Sequence, residues 1–206
     1  FGRATDVEGF VYWSTLIYQG ATVVLFAQDM FNVEPARNYY PRGMSNSDII
    51  KRFYENVLGR QPDEEGLGYW SKRLDNMMKN GTEAERNLAH GSLIQELITA
   101  VVNYRGDNVA GVTSQSLFNN KIEVAQKFVL DMKGSDITHA TELISKVQPN
   151  SQGTEKALTY LQDLYATAPS FENSTIEIKS LEDQIVSGKI NASDADRGDS
   201  IAYTVQ

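Results

Sequence analysis

Apolar residues along this chain recur mostly three and four positions apart, the spacing that places them on one face of an α-helix. Leu67, Trp70, Leu74 and Met77 form such a stripe over 63–80, and Phe10, Trp13 and Ile17 form a shorter one near the start. Between these two, 21–31 reads as a helix with Val23, Val24, Ala27, Met30 and Phe31 inward, and 48–58 as another carried by Ile49, Ile50, Phe53 and Val57. Leu88, Leu93, Ile94, Leu97, Ile98 and Val101 predict one long helix to about residue 103. Leu117, Val124, Ala125, Phe128, Val129 and Met132 predict another over 114–132, and two further helices are expected over 136–147 and 154–167. The punctuation agrees: Gly20 breaks the first helix, Ser45, Asn46 and Ser47 supply caps for the third, Gly81-Thr82 opens the long one, and Pro169 stops the last. Residues 32–46 hold two prolines and Gly43, and read as a loop longer than most connections in a compact domain.

The period changes after Pro169. Ser174-Thr175-Ile176-Glu177-Ile178 alternates as a strand does, and 184–193 and 200–205 read as two more. Charge changes with it, because seven acidic against three basic residues from Ser170 onward place −4 of the chain's −8 in this stretch. The expected fold is therefore mainly α, with about seven or eight helices over 1–169 followed by a short β segment over 170–206.

The helical part contains an internal duplication. At a constant offset of 57, Gly2, Arg3, Asp6, Glu8, Gly9, Tyr12, Trp13 and Ser14 recur as Gly59, Arg60, Asp63, Glu65, Gly66, Tyr69, Trp70 and Ser71. Pro62 with Asp63, Glu64 and Glu65 is a helix start, since proline suits the first turn and carboxylates oppose the positive end of the macrodipole. Gly9 and Gly66 fall inside first turns, where glycine costs roughly 1 kcal/mol against alanine, so a close approach by another group is expected there. Arg3 and Arg60 can bond carboxylates or the carbonyl end of a preceding helix. Trp13 and Trp70 are expected to be buried in equivalent sites.

The pattern Gly-Arg-x-x-Asp-x-x-Gly-x-x-Tyr-Trp, following Phe53-Tyr54-Glu55-Asn56-Val57-Leu58, resembles a bacterial helical domain of unknown function found in S-layer, RTX-type and other secreted surface proteins, itself distantly similar to the phycobilisome linker domain. The resemblance extends over about residues 1–132 and includes Phe118-Asn119-Asn120-Lys121-Ile122-Glu123-Val124. The first copy departs from it in carrying Thr5 where the second has Pro62 and in having no helix ahead of it, and the chain reads as a piece of a longer polypeptide. Residues 182–205, from Glu182-Asp183-Gln184 to Ala202-Tyr203-Thr204-Val205, resemble the opening strands of a bacterial cadherin-like, immunoglobulin-type adhesin repeat.

Composition narrows the partners. A net charge of −8 and a pI near 4.8 disfavour nucleic acid or an anionic membrane, both of which select a basic surface. No run approaches the ~18 apolar residues of a membrane span, and there is no cysteine. No Gly-x-Ser-x-Gly, His-Glu-x-x-His, phosphate-binding or dinucleotide-binding signature occurs, and His90 and His139 each lack the second ligand of a helical metal pair, so no enzyme activity is expected. Tyr39 and Tyr40 in the long loop either present rings to a glycan or partner or cover the core between the repeats. Asp194, Asp196 and Asp199 place three carboxylates around Gly198, a density of hard oxygen ligands that suits calcium. The cadherin-like resemblance adds Glu182 and implies calcium at the junction with a preceding module. The expected role is that of a non-catalytic, extracellular or cell-surface module of an adhesin or S-layer-like protein. It would interact with surface glycan, with protein or with neighbouring modules of its own chain, or act as a spacer, a polysaccharide anchor or a scaffold linker.

Overall fold

The structure, a computed structural model, describes residues 2–165 together with two short strands, Ser170–Phe171 and Ala192–Ser193, which pair antiparallel. The chain divides into two compact units, 1–161 and 162–206. The expected strands over 174–178, 184–193 and 200–205 lie outside the described residues apart from Ala192 and Ser193.

The body is helical, as the periodicity predicts. Its elements are α1 (Val7–Tyr18), α2 (Val23–Asn32), α3 (Glu34–Arg37), α4 (Asn46–Phe53), α5 (Glu64–Asn80), α6 (Glu83–Asn87), α7 (Ala89–Val102), α8 (Val109–Gln126), α9 (Ile137–Lys146) and α10 (Ser151–Leu164). Most starts carry the caps that the sequence offers. Asp6, Thr22, Ser45, Asp63 and Asp136 each accept from a backbone N–H three residues on, and Thr82 forms a full capping box with Glu85.

Helix α10 starts and ends three residues earlier than expected, and four other features differ from expectation. The 32–46 loop contains the short helix α3, opened by a proline in its first turn. The long helix expected to 103 is broken at Leu88 into α6 and α7. Helix α8 begins at Val109, five residues early, because Asn108 caps it through the N–H groups of Ala110 and Gly111. The helices begun by α4 and α8 both end in π-turns, Tyr54–Leu58 and Lys127–Asp131. Each π-turn is followed by a left-handed residue, Gly59 at φ 66° and Lys133 at φ 53°, and then by an Asp-capped helix. The same ending thus occurs twice with little identity in sequence.

The break at Leu88 has a packing cause. Leu88 has no side chain able to cap α7, and the cap comes from another helix: Gln28 of α2, itself buried, accepts the Gly91 N–H through Oε1 at 2.9 Å. Residue 91 must be glycine, since a Cβ there would lie 2.2 Å from the Val24 carbonyl oxygen and 2.8 Å from the Gln28 nitrogen. Next to this contact the His90 ring stacks on Phe31, centroids 4.5 Å apart and planes 5° apart, with Tyr40 tilted against the same Phe31 at 5.2 Å. The α2–α7 crossing anchors a core of Ala27, Phe31, Tyr40, Ile49, Ile50, Phe53, Tyr54, Leu58, Leu74, Ala89, Leu93, Ile94 and Leu97.

Two predictions follow from this crossing. Gln28→Ala leaves a buried N–H without an acceptor and should cost about 1–3 kcal/mol, and Gly91→Ala should cost at least as much by forcing the helices apart. Because both changes strike one contact, urea denaturation of the double variant should show less than the sum of the two.

Burial, with the Arg37 charge beside it, holds the His90 imidazole below its ordinary value of 6.5. The folded state therefore keeps His90 neutral while the unfolded chain takes up a proton below that value. Stability should be full above about pH 6.5 and fall as the pH drops from there through the lowered pKa. His90→Phe should flatten the loss in denaturant midpoint measured between pH 7 and pH 5.5.

Candidate functional site

The duplicated motif gives two sites built from the same residues. In each, a glycine in the left-handed region, Gly2 at φ 89° or Gly59 at φ 66°, turns the chain into a helix. The following aspartate caps that helix, Asp6 accepting from Gly9 N at 2.8 Å and Asp63 from Gly66 N at 2.7 Å. The arginine between them pairs with the cap, Arg3 Nη1 to Asp6 Oδ2 at 3.1 Å and Arg60 Nη1 to Asp63 Oδ2 at 3.9 Å. The hydrogen bonds from Gly9 and Arg3 outweigh burial and hold the Asp6 carboxyl below the usual carboxylate range. Arg60 further donates through Nε to Ser114 Oγ at 3.0 Å. Gly9 and Gly66 are notches for the cap: a Cβ on either would stand 3.0–3.1 Å from the aspartate Oδ1.

The aromatic pair also repeats. Tyr12 meets Trp13 edge-on at 4.9 Å and 77°, and Tyr69 meets Trp70 at 4.9 Å and 83°. Both tryptophans are half-buried rather than buried, a correction to the expectation: they lie on helix sides that the core reaches only at its margin, and the tyrosine beside each is exposed. Trp13 packs edge-on against Phe26 of α2 at 5.3 Å, and Trp70 lies at the margin of the core.

The two copies differ in what covers them. Over the second lie α4 and its π-turn. The Tyr54 phenol sits beneath the Arg60 guanidinium at 5.0 Å, its hydroxyl would be 3.2 Å from a Cβ on Gly66, and the Trp70 indole lies beside it. Leu74 is fully buried in one cluster with Ile49, Ile50 and Phe53, and Asp75 accepts from Asn46 of α4 at 2.6 Å. In the first copy Arg3, Asp6, Gly9 and Trp13 instead line a cavity of about 180 Å³ with Met30, Val33, Ala36 and Tyr39. At the positions equivalent to Leu74 and Asp75, Ile17 is 44% and Tyr18 92% exposed. The base of α1 is nonetheless fixed, by Ala4 N to Ala140 O at 3.1 Å and Val7 N to Gly134 O at 2.9 Å.

Tyr40 is not available to an external ligand. It is 2% exposed and burial pushes its phenol up to about 12, so the core-covering role applies to it. Tyr39 is half-buried, lies over Gly2 and lines the 180 Å³ cavity. A second cavity of about 220 Å³, lined by Phe53, Val57, Ile94, Ile98, Phe118 and Ile122 among others, also holds Lys121. The Lys121 ammonium, whose pKa burial lowers, donates to the Asn56 carbonyl at 2.7 Å and so satisfies the C-terminal end of the α4 helix. Sequence reasoning missed the open face of α1, although one signal was available: aligned at the offset of 57, Tyr18 replaces Asp75 and Leu16 replaces Arg73.

Among the described residues no group of three or more His, Asp or Glu side chains could hold a metal. The calcium candidates Glu182, Asp194, Asp196 and Asp199 lie outside the described residues. No helix among the described residues is long and apolar enough to cross a membrane.

Compared with known proteins, residues 27–92 match the family described as a domain of unknown function (DUF4214). The match runs from α2 into the first turn of α7 and takes in the second motif copy with its covering helix α4, but not the first copy. No curated protein and no solved structure matches the chain.

The unequal environments of the two copies set a stability test. Leu74→Ala should cost about 2–5 kcal/mol as a core truncation, while Ile17→Ala at the equivalent position should stay within about 0.5 kcal/mol. Thermal or urea denaturation of the pair measures the difference directly.

Proposed function

We propose that this chain is a non-catalytic interaction module of a large secreted or cell-surface bacterial protein, and that α1 carries the interacting surface. The observation behind this reading is the concentration of exposed apolar side chains near the start of the chain. Six of the fourteen large exposed apolar side chains among the described residues fall within fifteen positions, Val11, Tyr12, Ile17, Tyr18, Val23 and Leu25, and a concentration of that kind marks a contact surface. Val11 and Tyr18 are seven residues apart on α1 and share a side of the helix. The polar motif residues support a structural role, since Asp6, Asp63, Arg3 and Arg60 are engaged in capping and pairing. The adhesin-like sequence of residues 182–205 supports a surface location, with calcium at the Glu182, Asp194, Asp196 and Asp199 carboxylates as part of the same proposal. A glycan anchor built on Tyr39 and Tyr40 is not favoured, because Tyr40 is inside the core.

Co-sedimentation with bacterial envelope preparations tests the reading. Wild type should pellet saturably, and Val11→Lys with Tyr18→Lys should abolish pelleting while leaving the melting temperature within about 2 °C, both sites being exposed. Equal pelleting of the two proteins would remove α1 as the interaction surface.

A further inference from the structure

The internal repeat shows what kind of surface fits on α1. In the second copy the positions equivalent to Gly9, Trp13, Ile17 and Tyr18 are Gly66, Trp70, Leu74 and Asp75, and each meets the helix formed by α4 and its π-turn. Tyr54 lies against Gly66 with the Trp70 indole beside it, Leu74 joins the α4 side chains in the core, and Asp75 bonds Asn46. In the first copy Gly9 and Trp13 are half-buried as their counterparts are, but Ile17 and Tyr18 are exposed, and Arg3, Gly9 and Trp13, the counterparts of the residues around Tyr54, line a cavity. We propose that the open face of α1 binds an amphipathic helix of the α4 type, belonging to another module, whose tyrosine enters the Arg3–Gly9–Trp13 cavity. This rests on the reading of α1 as the interaction surface and names the chemistry of its partner.

Three features of the site favour such a helix. The cavity offers Arg3 for a ring to lie against and the Trp13 indole beside it, as Arg60 and Trp70 do for Tyr54. Ile17 continues the apolar seam where Leu74 carries it in the second copy. Tyr18 stands where the second copy has the polar Asp75 that bonds the covering helix, so the expected partner carries an apolar or aromatic residue there instead of asparagine. The partner is assigned to a separate module and not to a second copy of this chain because α4 here is already committed: Ile49, Ile50, Phe53 and Tyr54 are all buried against its own α5 and α7.

The chain's own 45–61 segment, Ser-Asn-Ser-Asp-Ile-Ile-Lys-Arg-Phe-Tyr-Glu-Asn-Val-Leu-Gly-Arg-Gln, serves as the probe. Titrated as a synthetic peptide into the full ¹⁵N-labelled chain, it should bind saturably and shift the amides of Gly9, Trp13, Ile17 and Tyr18. A peptide with Tyr54→Ala should bind about tenfold or more weakly. The protein variant Ile17→Lys should lose the shifts, with an unchanged melting temperature showing that it is folded. Absence of saturation, or shifts at Gly66, Trp70 and Leu74 in place of the first copy, overturns the proposal. Dimerisation of the chain without peptide, lost in Ile17→Lys, would assign the face to a second copy and also overturn it. Envelope pelleting that persists when the peptide does not bind would leave α1 as a contact surface and reject only the α4-type partner.

Discussion

The fold depends on how closely α2 can approach α7, and that approach is set by one contact. Gln28 accepts the Gly91 N–H deep in the protein, where an unmet donor would cost about 1–3 kcal/mol, and Gly91 has no side chain to keep the two backbones apart. Several other features are consequences. The chain from 83 to 102 cannot run as one helix, because α7 must begin where Gln28 can cap it, so the helix breaks at Leu88. His90, next to Gly91, is laid flat on Phe31, and Phe31 in turn holds Tyr40. Tyr40 is thereby drawn from the loop into the core, which decides between the two roles that its sequence position permits.

The duplicated motif shows how one set of residues yields one local structure and two environments. Glycine, arginine, aspartate and glycine form the same turn and cap in both copies, the caps at 2.8 and 2.7 Å, because these interactions lie within about ten residues of each other and need nothing from the rest of the chain. Burial is different. Leu74 and Ile17 occupy the same place on equivalent helices, yet one is sealed and the other open, because burial is decided by a second helix, and only the second copy has one packed over that position.

The same division explains what was legible in the sequence. The helical class, the helix starts at Asp6, Asp63, Ser45, Thr82 and Asp136, and the equivalence of the two motifs could all be read, since caps and periodicity are local signals. What could not be read depends on distant partners. Gly91 looks like an unremarkable helical glycine until α2 is beside it. Asn108 was masked as a helix start by Gly106 and Gly111, which suggest a loop when no cap is recognised. The π-turns after α4 and α8 depend on a left-handed residue that is glycine in one case and Lys133 in the other. For the candidate site, the motif residues could be named from the repeat, whereas the exposure of Ile17 and Tyr18 on α1 depends on a covering helix that only the comparison of the two copies in three dimensions brings out.

That comparison also bears on why the face is apolar. Units of a helical repeat bury their apolar sides against one another, and a unit whose outer side meets only water carries polar residues there. Helix α1 does not follow that pattern. Where α5 has the charged Asp75 it places Tyr18, 92% exposed, next to the exposed Ile17. Solvent exposure alone gives no reason for that substitution, since a tyrosine 92% exposed and an isoleucine 44% exposed gain little stability from their own fold. A second surface against α1 gives both side chains something to bury, and the Arg3–Gly9–Trp13 cavity beside them has the polar and aromatic groups that already hold a tyrosine once in this chain.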